Sequence, residues 1–144
     1  MNDVKQTIAF RLGTLGALMQ DRFAARIEAH DLKPKHVGLM AAIKGGGVPT
    51  SQQDLANRLG VAPSLVVALA DHLERLGALE RVRDPGDRRR QMLTLTEHGA
   101  DLLAICSALA VELDDEVTAF LPASERTALC ETLGRLSAGA GLPH

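Results

Sequence analysis

The chain has 144 residues, of which 46% are hydrophobic, 24% charged and 2% aromatic. That length and apolar content suit one domain with a real core, and exclude both a disordered chain and one that needs disulfides or a structural metal to fold. The formal charge of −2 hides an asymmetry: residues 1–96 carry 14 Lys/Arg against 10 Asp/Glu, whereas residues 97–144 carry 2 against 8. A weakly basic front can meet a polyanion and an acidic rear cannot, so the two ends are expected to do different work.

Further classes fall away on composition. No apolar run approaches the length of a membrane span, and the MNDVKQ start lacks a basic lead into an apolar stretch, so a cytoplasmic protein with no membrane partner is expected. Two cysteines, Cys106 and Cys130, are too few for a disulfide framework or a four-thiolate zinc site. With no Trp or Tyr and only three Phe, there is no stacking platform for single-stranded nucleic acid; a nucleic-acid partner would be duplex.

Spacings of three and four along Ile8, Leu12, Leu15, Leu18/Met19, Phe23 and Ile27 predict an amphipathic helix over about 4–29. Pro34 opens a second over 34–44, with Val37, Met40, Ala41 and Ile43 buried and Gly45-Gly46-Gly47 as its stop. Val48-Pro49-Thr50 has room for a short extended piece. Ser51-Gln52-Gln53-Asp54 reads as a capped start of a short third helix, with Leu55, Ala56 and Leu59 inward and Gly60 at its end. Pro63 suits the first turn of a fourth helix that runs to Leu76 before Gly77, with Val66, Leu69, Leu73 and Leu76 inward. Two strands, 78–83 and 91–96, flank the turn Asp84-Pro85-Gly86-Asp87-Arg88-Arg89-Arg90. Helices over about 97–121 and 124–138 follow, and the last residues should fray. The expected fold is mainly α with a small β-hairpin wing: a winged helix-turn-helix at about 34–96, flanked by N- and C-terminal helices, all in one domain spanning 1–144.

A hairpin directly behind a helix-turn-helix points to duplex DNA. The outer side of the fourth helix carries Ser64, Leu65, Ala68, His72 and Arg75, and its N-terminus at Pro63 can face phosphate. Arg88, Arg89 and Arg90 crowd the wing tip, near Arg83, and can enter a minor groove or pair with phosphates. Asp87 is expected to orient a neighbouring arginine through a bidentate pair. Ser51, Gln52 and Gln53 open the first helix of the unit and complete the candidate DNA-binding set.

The run QQDLANRLGVAPSLVVALADHLERLGALERVRDPGDRRRQMLTLTEHG resembles the winged-helix core of MarR-type transcriptional regulators. The most specific parts are LERLGALERV, the wing D-P-x-D-R-R and the exit L-T-x-x-G, and the flanking helices match in number and length. The resemblance implies a homodimer whose terminal helices (about 4–29 and 97–138) interleave, with two winged helices on successive major grooves of a near-palindromic operator. It also implies a repressor released from, or retained on, DNA by a small phenolic or other aromatic ligand, or else a reactive cysteine. The ligand would lie among helices one, two and five; His36 is where relatives place that pocket, with Leu12, Leu15 and Met40 beside it. The sequence departs from the family at the fourth helix, with Ala62 at the cap and Leu65, Val67 and Ala68 where hydroxyls or a cation are common. Leu65 and Val67 touch a thymine methyl but donate no hydrogen bond. The alternative is therefore a divergent winged-helix dimer that serves as a protein-interaction or ligand-binding module with little operator reading.

Other chemistry finds little support. The five histidines form no H-x-x-x-H or H-E-x-x-H pattern, so no metal is expected. Cys106 and Cys130 have no adjacent Lys, Arg or His and read as buried, inert thiols. No phosphate loop, nucleotide fingerprint or Ser-His-Asp set is present, so neither a cofactor nor catalysis is expected. Glu112, Asp114, Asp115 and Glu116 read as a solvated acidic face.

Overall fold

Side-chain caps set several of the helix starts. The computed structural model describes residues 3–45 and 49–144; Gly46 and Gly47 of the expected glycine stop, and Val48, lie outside them. Thr7 accepts the Phe10 N–H and starts α1 (Ile8–Ile27), which single 3₁₀ turns at Val4–Gln6 and Glu28–His30 flank. The chain then turns through Asp31, whose φ of 56° lies in the left-handed region, into α2 (Pro34–Gly45). Ser51 caps α3 (Gln52–Leu59) by accepting the Asp54 N–H at 3.1 Å. Gly60, at φ 65°, closes it, so the next helix leaves at an angle. That helix, α4 (Pro63–Arg75), has Pro at its start and no side-chain cap at Ala62. Thr96 caps α5 (Glu97–Val117), and α6 (Ala123–Gly139) follows Pro122.

The wing is a sheet rather than a bare hairpin. β2 (Leu79–Arg83) and β3 (Gln91–Leu95) pair antiparallel with Arg81 opposite Leu93. The extended piece expected near Thr50 is β1 (Thr50–Ser51), which joins β3 through Thr50–Leu93 and Ser51–Met92, giving the order β1-β3-β2. Leu93 is thus central and fully buried.

The core gathers Ile27, Leu39, Met40, Leu55, Val66, Leu73, Leu79, Leu93 and Cys106 from α1 to α5 and the sheet. In α2 the inward stripe is His36, Leu39, Met40 and Ile43; Ala41, expected inside, is exposed because the stripe follows the α4 and α5 side of the helix. One contact fixes the junction of wing and α5. A β-carbon on Gly99 would lie 1.9 Å from the Ala78 carbonyl oxygen, so only glycine admits this approach. Thr96 holds it: its N–H donates to Ala78 O at 3.1 Å, its hydroxyl donates to Gly77 O at 2.6 Å, and that hydroxyl accepts the Gly99 N–H at 3.0 Å.

The terminal helices are different. In α1 only Ile27 is buried, and no residue of α6 is. Ile8, Leu12, Leu15 and Leu18 of α1, Leu129, Leu133 and Leu136 of α6, and Phe120 between α5 and α6 stay exposed. Ion pairs Arg26–Glu116 and Arg126–Asp115 tie α1 and α6 to the end of α5, so part of the acidic face expected to be solvated is paired. Among the described residues no helix is long and apolar enough to cross a membrane.

Candidate nucleic-acid interface

The residues expected to read DNA divide into two groups. Pro63, Ser64, Val67 and Ala68 on α4, Gln53 on α3, and Arg83, Arg88 and Arg89 on the wing are exposed. Arg75 is exposed as well, at the C-terminal end of α4 beside a cleft described below, and the rest are committed elsewhere. Ser51 is buried, because it caps α3 and accepts from the Arg90 guanidinium at 3.2 Å. Gln52 turns its carboxamide oxygen to Arg81. Arg90 folds back onto Asp54 at 3.0 Å and Asp84 at 3.9 Å, locking the wing base to α3 instead of projecting from the tip. Asp87 forms no ion pair among the described residues; its carboxylate accepts the Arg89 backbone N–H at 3.0 Å and shapes the turn, correcting the expected bidentate pair. Asp84 does the same for the Gly86 N–H at 2.9 Å. Two successive aspartate turns therefore present Arg88 and Arg89, whose side chains find no partner among the described residues.

At the start of α4 the Leu65 and Val66 N–H groups both donate to the Ala62 carbonyl, and Pro63 has no N–H. The first turn therefore offers a phosphate one backbone donor, that of Ser64. This is narrower than the uncapped sequence implies.

The part played by Arg81 is not visible in the sequence. From the middle of β2 its guanidinium donates to Gln52 Oε1 at 3.0 Å, Asp71 Oδ1 at 2.6 Å and the Val67 carbonyl at 2.9 Å. One side chain thus fastens the wing to both helices of the helix-turn-helix. The fork geometry of arginine, with donors in three directions, makes this possible. In sequence Arg81 is simply one basic residue of the predicted strand 78–83.

Behind α4 lies a cleft of about 1040 Å³ between α1, the α1–α2 connection and α4. Leu65, Ala68, His72 and Arg75 line it, together with His36, Lys33 and Glu28. All four α4 residues lie on the cleft side of the helix, contrary to their assignment to the DNA side, with Leu65 and His72 half-buried and Ala68 and Arg75 exposed at the rim. Of the residues expected to form a ligand pocket, only His36 lines this cleft. Leu12 and Leu15 lie on the exposed part of α1, Met40 is sealed in the core, and α5 contributes nothing to the lining. The His36 and His72 rings stack with centroids 4.3 Å apart. His72 Nε2 lies 2.6 Å from the Asp31 carbonyl, which fixes it as the donor. His36 Nδ1 accepts the Lys33 N–H at 2.9 Å, the reach-back bond of a capping box with histidine in the third helical position.

That bond requires an unprotonated Nδ1. Burial first, then the neighbouring His72 and Lys33 charges, lower the His36 pKa from 6.5 to about 4, against a small opposing effect of Asp31. The unfolded chain takes up this proton near pH 6.5 while the folded one resists until about 4, so protonation favours unfolding. The contribution is whole above pH 6.5 and lost as pH falls toward 4. Melts between pH 7.5 and 4 should show wild type losing more stability than His36→Gln, whose amide still caps Lys33 but does not titrate. Parallel curves would remove His36 from the account.

The thiols differ from the expected pair. Cys106 is buried and burial raises its pKa, as for an inert core thiol, but Cys130 is exposed on α6. Among the described residues no three metal-ligating side chains converge.

Residues 30–90 match the sequence model of the MarR family. A Thauera aromatica protein assigned to regulation of the hcr operon is 32% identical over 127 residues, covering 88% of this chain and 75% of that one. The chain belongs to the MarR family of transcriptional regulators. Two solved structures share its fold. CouR on a 23-mer DNA duplex superposes with a TM-score of 0.79 at 27% identity, covering 95% of this chain and 96% of that one. CouR from Rhodococcus jostii RHA1 with p-coumaroyl-CoA gives 0.78 at 19% identity, with the same coverage. The family is one of regulators, not enzymes. The MarR exit motif L-T-x-x-G now has a physical reason here: Thr96 caps α5 and binds Gly77, and Gly99 leaves room for Ala78.

Proposed function

We propose that this MarR-family protein is a double-stranded DNA-binding repressor of the cytoplasm, acting as a homodimer on a near-palindromic operator. The observation that carries this is the wing tip. Paired aspartate turns present Arg88 and Arg89 without partners among the described residues, while Arg81 and Arg90 brace the wing against α3 and α4. An arginine held at a rigid tip is a phosphate or minor-groove probe, whereas one on a loose turn is only a solvated charge. The bare apolar faces of α1 and α6 support dimerisation through the terminal helices, since surfaces of that kind on a soluble protein mark an interface. The single domain is then an interlocked half of that dimer.

A ligand in the cleft behind α4 gives the switch. The cleft wall is α4 itself, so a bound molecule favours one position of α4 against α1 and shifts the population of DNA-competent spacings. Leu65, Leu69 and Ala24 offer apolar surface, and Lys33, Lys35 and Arg75 offer cations, which suits an aromatic molecule with an anionic group. The second reading, a ligand-binding or interaction module with little operator reading, draws on the scarcity of donors on the outer face of α4.

Fluorescence anisotropy with duplex from the protein's own upstream region, against a scrambled duplex and across a salt series, tests the first reading. Binding should prefer the native duplex, at two protomers per site. Replacing Arg88 and Arg89 by Ala should weaken it and flatten log K against log[salt] by about 0.9 for each arginine lying on a phosphate. An unchanged slope would show that the wing does not touch DNA.

A further inference from the structure

The outward row of α4 is short of polar groups in a specific way. Leu65 and His72 point into the cleft. Asp71 is held by Arg81 at 2.6 Å. What remains at the N-terminal half of the helix is the Ser64 hydroxyl and one apolar side chain, Val67; Ala68 is exposed too, but it borders the cleft beside Leu65. Val67 is the large one, 39% exposed, and stands one turn into the helix. It is also well fixed. The Arg81 guanidinium donates to the Val67 carbonyl at 2.9 Å, pinning the backbone at that residue, and a β-branched side chain in a helix keeps essentially one rotamer. The structure thus presents a rigid isopropyl group where recognition helices ordinarily present a donor.

From this geometry we infer that Val67 is a specificity-determining residue, selecting a thymine in each operator half-site through the C5-methyl group of the base. This rests on the DNA-binding function proposed above. In the major groove the four base pairs differ by donors, acceptors and one apolar feature, the thymine methyl. Val67 makes no hydrogen bond with any base edge, so an amide or carbonyl edge against it loses its water without replacement. A methyl group against it loses nothing and buries apolar surface. Ser64 tolerates either partner and Ala68 is too short to exclude a base, which leaves Val67 as the discriminating side chain.

Deoxyuridine tests this cleanly, because it lacks only the methyl and keeps every pairing and hydrogen bond of thymine. A duplex enriched from a random pool by the full-length protein would be remade with deoxyuridine at each thymine in turn. Replacement at one symmetric pair of positions should weaken wild-type binding by about fourfold per half-site, about fifteenfold for both, the size of one buried methyl per contact. Val67→Ala, an exposed change that leaves the core intact, should bind the thymine and deoxyuridine duplexes nearly equally. Insensitivity to deoxyuridine at every position would overturn the inference. So would a thymine preference that persists undiminished in Val67→Ala, since the methyl would then be read elsewhere. Failure to enrich any duplex would overturn operator reading itself, a result distinct from binding a sequence without regard to its methyl groups.

Discussion

Gly99→Ala is expected to cost the protein about 3 kcal/mol or more of stability, and to lower the melting temperature by roughly 10 °C. The added β-carbon would sit 1.9 Å from the Ala78 carbonyl oxygen, with the carbonyl carbon at 2.8 Å. Overpacking is tolerable where a side chain can swing away, but this obstacle is backbone. Ala78 is fully buried, and its carbonyl already accepts the Thr96 N–H. Retreat would break that bond and the Thr96–Gly77 and Gly99–Thr96 bonds together. Gly38 is the control: it too is helical, yet a β-carbon there meets nothing within 4 Å, so Gly38→Ala should be neutral or slightly stabilising. Urea titrations of both variants at one protomer concentration would decide the matter. A loss below about 1 kcal/mol for Gly99→Ala would mean that the α5–wing junction is looser than drawn.

Arg81→Met should cost about 2–3 kcal/mol and should also impair DNA binding by more than the loss of one surface charge explains. The thioether fills much the same volume but leaves Asp71, Gln52 and the Val67 carbonyl without their shared donor. Arg81 is four-fifths buried while Asp71 is about half exposed, which places the pair above a surface ion pair and below a sealed one. Arg81→Lys should recover little, since a single ammonium does not point at a carboxamide, a carboxylate and a carbonyl on three sides. A double-mutant cycle with Asp71→Asn would isolate the pair, with coupling of about 1 kcal/mol or more expected. Loss of less than about 0.5 kcal/mol for Arg81→Met would reduce this residue to an ordinary strand cation.

The same two residues show where sequence reasoning reaches its limit. Glycine in L-T-x-x-G is visible in one dimension, as is the threonine that caps a helix, because both are local. That glycine is required there by the Ala78 carbonyl, 21 positions earlier, is not visible. Arg81 and Arg90 are equally basic in sequence to Arg88 and Arg89. Their different fates follow from partners brought close only by folding: Gln52 and Asp71 for one, Ser51 and Asp54 for the other. Helical periodicity puts His72 on the side of α4 opposite its buried stripe. Counting locates a face, but the neighbour of that face is set by where the α1–α2 connection crosses, and it crosses at His72.

Local signals suffice for the helices, the cap at Ser51, the turns at Gly60 and Gly77, and the winged-helix order, since apolar periodicity, capping hydroxyls and glycine conformations act within a few residues of themselves. Folding alone sets which arginines brace the wing and which stay exposed at its tip, that β1 completes the sheet, and that a cleft backs α4. Those outcomes depend on distances between segments far apart in the chain, and a hydrogen-bond donor has no assigned role until an acceptor stands within about 3 Å of it.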